Sequence, residues 1–253
     1  MAQPIVFYDI PIKDRTNPTP WSPNAWKVRY TLNLKGLKYK TEWLEYPDIE
    51  PTAKGLGGAP TDKKPDGSDF YTLPMIYDPN TKAVITNSAA IAKYLDNAYP
   101  DTPRVFPAGT DAFQAAFLET AWANVGIHVF MLVILDTANH MFPRSHAYFR
   151  ATREAKFGNK LENLATEDEW AAVEAGLARW KGYLEANGEG GDLLFMGAQG
   201  TVTYSDLQIA ALFVWAKTVW GENSERWKRL TALQGGKWAK FYAQFAKFEQ
   251  AAQ

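Results

Sequence analysis

Every strand-forming stretch of this 253-residue sequence lies before residue 100, and everything after residue 108 reads as helix. That asymmetry constrains the fold more than any single motif. Strands followed by a run of helices predict segregated layers, with a small sheet domain first and a helical domain second. Between them, residues 100–107 hold Pro100, Pro103 and Pro107 with no hydrophobic period, which predicts a linker. The expected domains are therefore 1–100 and 108–253.

Within the first domain the elements can be placed in order. Residues 5–10 (IVFYDI) are a β-rich run and predict a first strand. A polar, proline-broken loop follows over 11–20. Ser22 and Pro23 then suit the N-cap and first turn of a helix, because proline has no N–H to leave unpaired there. Ala25, Val28 and Leu32 share one face of that helix, and Gly36 suits its end. Residues 37–44 alternate as a second strand, completing a βαβ unit. Residues 46–70 carry four prolines and four glycines and predict an irregular insertion with a short helix near 48–54. Lys54, Lys63 and Lys64 within it could reach a ligand carboxylate. Residues 73–77 and 83–85 flank a DPNTK turn and predict a hairpin. Thr86, Asn87 and Ser88 then cap a helix carrying Ile91 and Leu95.

The second part predicts a long helix over 110–138 and another over 145–164. Thr166 and Glu169 have the spacing of a capping box opening a helix to about Ala186, and a glycine-rich turn follows at 187–191. Thr203 and Asp206 form a second capping box, with Val202 and Leu207 as a hydrophobic staple, opening a helix through Val219. Two amphipathic pieces, 225–233 and 237–252, finish the chain.

Several kinds of chemistry are excluded by what the sequence lacks. It has no cysteine, hence no disulfide, no thiolate metal site and no cysteine nucleophile. Any thiol chemistry must bring its sulfur with a ligand. His128, His140 and His146 lack metal-ligand spacing, so no metal is expected. No nucleophile elbow, dinucleotide fingerprint or phosphate loop is present. A net charge of −1 offers no electrostatic reason for nucleic acid or a membrane surface as partner. The start of the chain lacks a signal-peptide pattern, and the apolar run at 125–135 is too short to span a bilayer, so a cytoplasmic protein is expected. Ten Trp, twelve Tyr and fourteen Phe suit a site for flat aromatic ligands as well as a core. Trp122, Phe130, Phe213, Trp215 and Trp220 are the pocket candidates among them.

Locally, the Ser22 hydroxyl can do two things. It can accept from the first N–H groups of its helix, or it can donate to an anion at that electropositive end. The residues alone leave both open.

Four motifs in order now carry a resemblance: Ser22-Pro23 opening the first helix, Leu73-Pro74 before the third strand, Asn87-Ser88 before AAIAKYL, and Thr203-x-x-Asp206. Together with the domain order they resemble the cytosolic glutathione transferases of the serine type. The resemblance covers nearly the whole chain. The SPNAWKVR stretch, the insertion and the aromatic content resemble most the etherase-like group and, within it, the fungal class A enzymes.

The resemblance implies a thioredoxin-like α/β domain followed by an all-α domain, with glutathione as co-substrate. It implies that Ser22, with Asn24 as a second donor, activates the glutathione sulfur. Leu73 and a cis Pro74 would pair the tripeptide backbone, and Asn87 and Ser88 would hold its γ-glutamyl end. Hydrophobic aromatic electrophiles are the implied second substrates, with ether or thioether cleavage in view and a homodimer as the assembly. The family usually places an acidic residue where Asn87 stands, and an amide can only hydrogen-bond an ammonium. A ligandin that binds aromatics without turnover is the alternative. Thr203 and Asp206 are expected to serve folding alone.

Overall fold

A computed structural model describes residues 3–13, 19–188, 193–196 and 201–250. The expectations for 14–18, for the turn at 189–191 and for the last helix at 251–252 lie outside the described residues.

Four strands form one sheet in the order β2-β1-β5-β6: β1 (Ile5–Asp9), β2 (Tyr39–Trp43), β5 (Met75–Asp78) and β6 (Ala83–Thr86). β1 and β2 run parallel, joined through helix α1 (Pro23–Leu34), while β5 runs antiparallel to both β1 and β6. Helix α3 (Ser88–Ala98) follows β6. This is the expected thioredoxin-like arrangement. The insertion holds α2 (Ile49–Leu56) and a two-stranded ribbon, β3 (Asp62–Lys63) with β4 (Asp69–Phe70).

α1 is fixed on the sheet from two sides. Ala25, Val28 and Leu32 pack with Ile5, Phe7, Ile76, Ile91 and Leu95 in one buried cluster. One step around the helix, Arg29 reaches Asp9 at the end of β1, 2.9 Å away, with both side chains buried. The guanidinium lies 5.0 Å from the Phe7 ring centre and 5.5 Å from that of Tyr39, so aromatic faces replace its lost water. Burial raises the Asp9 pKa, with Arg29 opposing that rise.

The linker is held as well as placed. The Asp96 carboxylate in α3 accepts from the Val105 and Phe106 N–H groups and from Lys35 Nζ at 2.8 Å. Beyond it come α4 (Asp111–Ala121), α5 (Ile127–Asn139), α6 (Pro143–Phe157), α7 (Glu167–Glu185), α8 (Tyr204–Trp220) and α9 (Glu225–Ala243). α8 is buried nearly all round and packs against α1, so one apolar cluster runs from Trp26 and Tyr30 through Trp215 to Phe241.

The helical part departs from expectation in four places. A π turn (Trp122–Gly126) divides the helix expected over 110–138, where Gly126 lies under the Trp122 ring and Gly176 of α7 meets the Asn124 carbonyl. The continuous helical stretch Asp111–Asn139 has mean hydropathy 1.6 and is long and apolar enough to cross a bilayer, unlike the shorter run read from sequence. Only 39% of its most apolar part is buried, and it packs against α7 and α8. α6 begins at Pro143 itself and stops at Phe157, because Gly158 takes the left-handed conformation (φ 63°) that ends a helix. Finally, Thr166 caps α7 by accepting from Glu169 N–H, but the Glu169 carboxylate pairs with His128 at 2.6 Å instead of closing the box. The second box does close: Asp206 accepts from the Thr203 N–H at 2.7 Å. The break between the last two helical pieces falls at Leu233–Gly236, inside α9.

Candidate active site

Strand register brings the separate motifs to one edge of the sheet. Tyr8 pairs with Met75, and Met75 pairs with Thr86, so these three residues form one row across β1, β5 and β6. Leu73-Pro74 immediately precedes that row, and Asn87-Ser88 immediately follows it. The third motif returns to the edge through a bridge between Pro11 and Pro20, which sets Trp21 and Ser22 beside the end of β1. Motifs far apart in sequence therefore converge at the carboxyl end of β1.

Ser22 is the N-cap of α1 and is 6% exposed. Its Oγ accepts from Ala25 N–H at 3.5 Å, the outer limit of a hydrogen bond. The cap is present but loose. Among the described residues no acceptor takes the hydroxyl hydrogen. Asn24 is exposed on the same turn, and its Oδ1 accepts from Lys27 Nζ at 2.9 Å. Lys27 is half-buried, and burial pushes its ammonium down to about 8. Trp21 and Trp26 are buried on either side of this turn, with Trp26 Nε1 donating to Pro20 O at 3.1 Å.

The Leu73-Pro74 peptide bond is cis, and both residues are buried. Asn87 has φ 72° and ψ 126°, outside the left-handed helical well, a conformation that a non-glycine residue adopts at a cost. Its Oδ1 accepts from Ala89 N–H at 3.0 Å and Ala90 N–H at 3.2 Å, so the side chain caps α3. The resemblance gave Asn87 to the ligand, whereas its oxygen serves the helix cap that the Thr86-Asn87-Ser88 stretch predicts. Ser88 is half-buried, and its side chain lies close enough to the Tyr204 phenol at the start of α8 to interact with it electrostatically. Burial holds the Tyr204 phenol neutral by raising its pKa.

The lysines proposed from sequence for a ligand carboxylate are paired within the insertion. Lys54 and Lys64 both meet Glu50, at 2.7 and 3.1 Å, and Lys63 meets Asp69. Sequence reasoning missed Lys27 and Tyr204. Lys27 lies inside the SPNAWKVR stretch, three residues past Asn24, which is contact spacing on a helix. Tyr204 had no signal except its place beside the capping box. Of the aromatic candidates, Phe213 and Trp215 are core, whereas Trp122 is 45% exposed and its ring touches Phe130. Among the described residues no group of three or more His, Asp or Glu side chains is placed to hold a metal ion.

Two family models match the chain: the N-terminal domain of glutathione S-transferase over residues 21–98 and the C-terminal domain over 112–248. The chain belongs to the glutathione S-transferase family. Among solved structures it is similar to glutathione transferase GSTFuA2 from Phanerochaete chrysosporium, at 63% identity and TM-score 0.96, covering 99% of this chain and 100% of that one. It is also similar to the glutathione S-transferase CsGST63524 of Ceriporiopsis subvermispora, solved in complex with glutathione, at 43% identity and TM-score 0.91, covering 98% and 99%. A curated relative, the glutathione S-transferase-like protein ustS of Aspergillus flavus, is 30% identical over 172 residues, which are 66% of this chain and 61% of that protein. The chain thus spans under two thirds of that relative's length. In glutathione S-transferase terms, the sheet edge carrying Ser22, Leu73-Pro74 and Asn87-Ser88 is where the sequence resemblance put the tripeptide.

Proposed function

We propose that the protein is a serine-type glutathione transferase acting on hydrophobic aromatic electrophiles. The observation that carries this reading is the convergence of Ser22, Leu73-Pro74 and Ser88 on one sheet edge. Glutathione lies along that edge, its backbone against Leu73 and its γ-glutamyl carboxylate at the start of α3 near Ser88, where the helix end favours an anion. Its thiol, with an ordinary pKa of about 8.5, meets the electropositive start of α1. Ser22 donates its hydroxyl hydrogen to the sulfur, and Asn24 donates from its amide. The thiolate they favour attacks an electron-poor carbon, and the leaving group departs with the bond electrons.

The 63% identity to GSTFuA2 supports placing the chain with the fungal class A enzymes, and so with ether or thioether cleavage as a further reaction. We read residues 1–100 as the glutathione domain and 108–253 as the domain that supplies the apolar site, in a cytoplasmic homodimer. Phe113 on α4, 80% exposed, is the large apolar side chain most in need of a covering partner.

A second reading is a ligandin. Asn87 in place of a carboxylate and the open Trp122–Phe130 pair favour it. Turnover of a chloronitrobenzene and of an aryl ether with glutathione separates the two. Ser22→Ala should lower kcat/KM at neutral pH by at least about tenfold, a loss of about 1.4 kcal/mol of transition-state stabilisation. Full activity in that variant overturns the role of Ser22. Tight aromatic binding by the wild type without turnover favours the ligandin.

A further inference from the structure

We infer that Lys27 is a positioning residue for the glutathione sulfur: its ammonium holds the Asn24 carboxamide in one orientation, with the amide donor turned toward the thiolate. The inference rests on the assignment of the sulfur to the first turn of α1.

The argument begins with what an ammonium can do. Lysine carries three donors and no acceptor, so it can meet an asparagine side chain only at the oxygen. Lys27 Nζ lies 2.9 Å from Asn24 Oδ1. The oxygen being held, Nδ2 with its two hydrogens projects from the opposite side of the carboxamide. Asn24 is exposed on the turn that Ser22 caps, so its free end is accessible to a ligand on that turn. A free asparagine could present either end, and half of its orientations would set an oxygen against a thiolate. Lys27 removes that choice.

The charge of Lys27 acts in the same direction. Among the described residues no carboxylate lies within ion-pairing distance of it. That sets it apart from Lys54, Lys63 and Lys64, each of which meets an acidic side chain. An unmatched, half-buried ammonium beside a helix N-terminus raises the energy of the empty site, because both are positive. Arrival of an anion on that turn relieves the conflict. A thiolate is such an anion, and it is the species this turn must favour. Burial lowers the Lys27 pKa only to about 8, so the side chain is still charged at neutral pH.

Lys27 also has the right distance from the chemistry to act through Asn24 without replacing it. It sits five residues into α1, while Ser22 and Asn24 occupy the cap and the first turn. Its role is therefore distinct from theirs and separable by experiment.

The test is the pKa of the bound glutathione thiol, read from the ultraviolet absorbance of the thiolate in the binary complex, beside the pH profile of kcat/KM. Lys27→Met should raise that pKa by about one unit, which is about a tenfold smaller thiolate fraction below it. Lys27→Arg, also a donor-only cation, should restore most of the shift. Asn24→Ala should raise the pKa too, and adding Lys27→Met to it should raise it by less than in the wild type. Lys27→Gln, which can donate but has no charge, gives a second reading if the methionine variant does not fold, with a smaller rise expected. An unchanged thiol pKa in Lys27→Met or Lys27→Gln overturns the inference. If Ser22→Ala and Asn24→Ala also leave the pKa unchanged, the assignment of the sulfur to this turn fails as well. If they shift it and the Lys27 variants do not, Lys27 alone is wrongly assigned.

Discussion

The side chain of Ser88, at the start of α3, interacts electrostatically with the buried phenol of Tyr204, at the start of α8. One residue of the proposed glutathione site thereby lies beside the buried helix α8. Tyr204→Phe keeps the ring that stacks on Phe106 at 4.9 Å and removes only the phenol oxygen. It should cost about 1 kcal/mol of stability, seen as a lower denaturant midpoint. It should also change KM for glutathione more than kcat, since Ser88 touches the γ-glutamyl end and not the sulfur. An unchanged KM would separate Ser88 from glutathione.

Asn87 is both a helix cap and a residue at φ 72°. Asn87→Asp keeps the cap with a side chain of the same length, and it adds a charge that can pair with the α-amino group of glutathione. It should tighten glutathione severalfold in calorimetry with no loss of melting temperature. Asn87→Glu, the change suggested by the family pattern, has a longer side chain that no longer matches the cap. It should tighten glutathione less and melt lower. Asn87→Ala should lose about 1 kcal/mol from the missing cap alone.

Lys27 bears on stability as well as on the sulfur. Its folded pKa of about 8 lies below the ordinary lysine value of about 10.4, so the unfolded chain binds more protons between those values. Stability therefore rises with pH across that window, and below pH 8 the buried charge opposes folding in full. Lys27→Met should melt higher than the wild type at pH 7, and the gap should close as pH rises from 8 to 10. A gap that does not vary with pH would show that the ammonium is fully solvated.

The Asp9–Arg29 pair has the opposite character, because each charge has a partner. Arg29→Met leaves a buried carboxylate alone and should cost about 3–5 kcal/mol at neutral pH. The Asp9 pKa is raised in the folded protein, so the folded state binds more protons there and stability falls as pH rises through that range. Acidification into that range should rescue part of the Arg29→Met loss in urea titrations. Asp9→Asn added to Arg29→Met should rescue more of it at neutral pH.

Gly176 tests the packing of α7 on the π turn. A Cβ there would lie 2.3 Å from the Asn124 carbonyl oxygen and 2.5 Å from Val125 Cγ2. The first is backbone and cannot rotate away. Gly176→Ala should cost about 1–3 kcal/mol despite its better helix propensity, measured as a shift in urea midpoint.

Local signals in the sequence were read correctly where the partner lies within one turn. Ser22, Asn87, Thr166 and Thr203 all sit at the helix starts that their side chains suggested. The hairpin of β5 and β6 follows from the turn at 78–82, and the change from strands to helices at the linker is visible in residue types alone. Where the same reasoning failed, a distant group had intervened. Glu169 has the spacing of a capping-box acid, but α5 packs the His128 ring against it, and the carboxylate meets Nδ1 at 2.6 Å in place of a backbone N–H. Lys64 looked available until the insertion folded Glu50 of α2 against it, whereas Lys54 meets the same Glu50 at i,i+4 spacing within one helix, a pairing legible in the sequence.

By itself, then, the chain determined the elements, their order, the helix caps and the candidate residues, because turns, caps and periodicity depend on groups a few residues apart. Only the tertiary structure decided which of those candidates meet. The sheet register set Leu73-Pro74 and Asn87-Ser88 on one edge, and the Pro11–Pro20 bridge returned Ser22 to it. Packing of α8 against α1 brought Tyr204 to Ser88. Such contacts depend on how whole elements bury their apolar faces. That is a property of the assembled core, which no short stretch of sequence records.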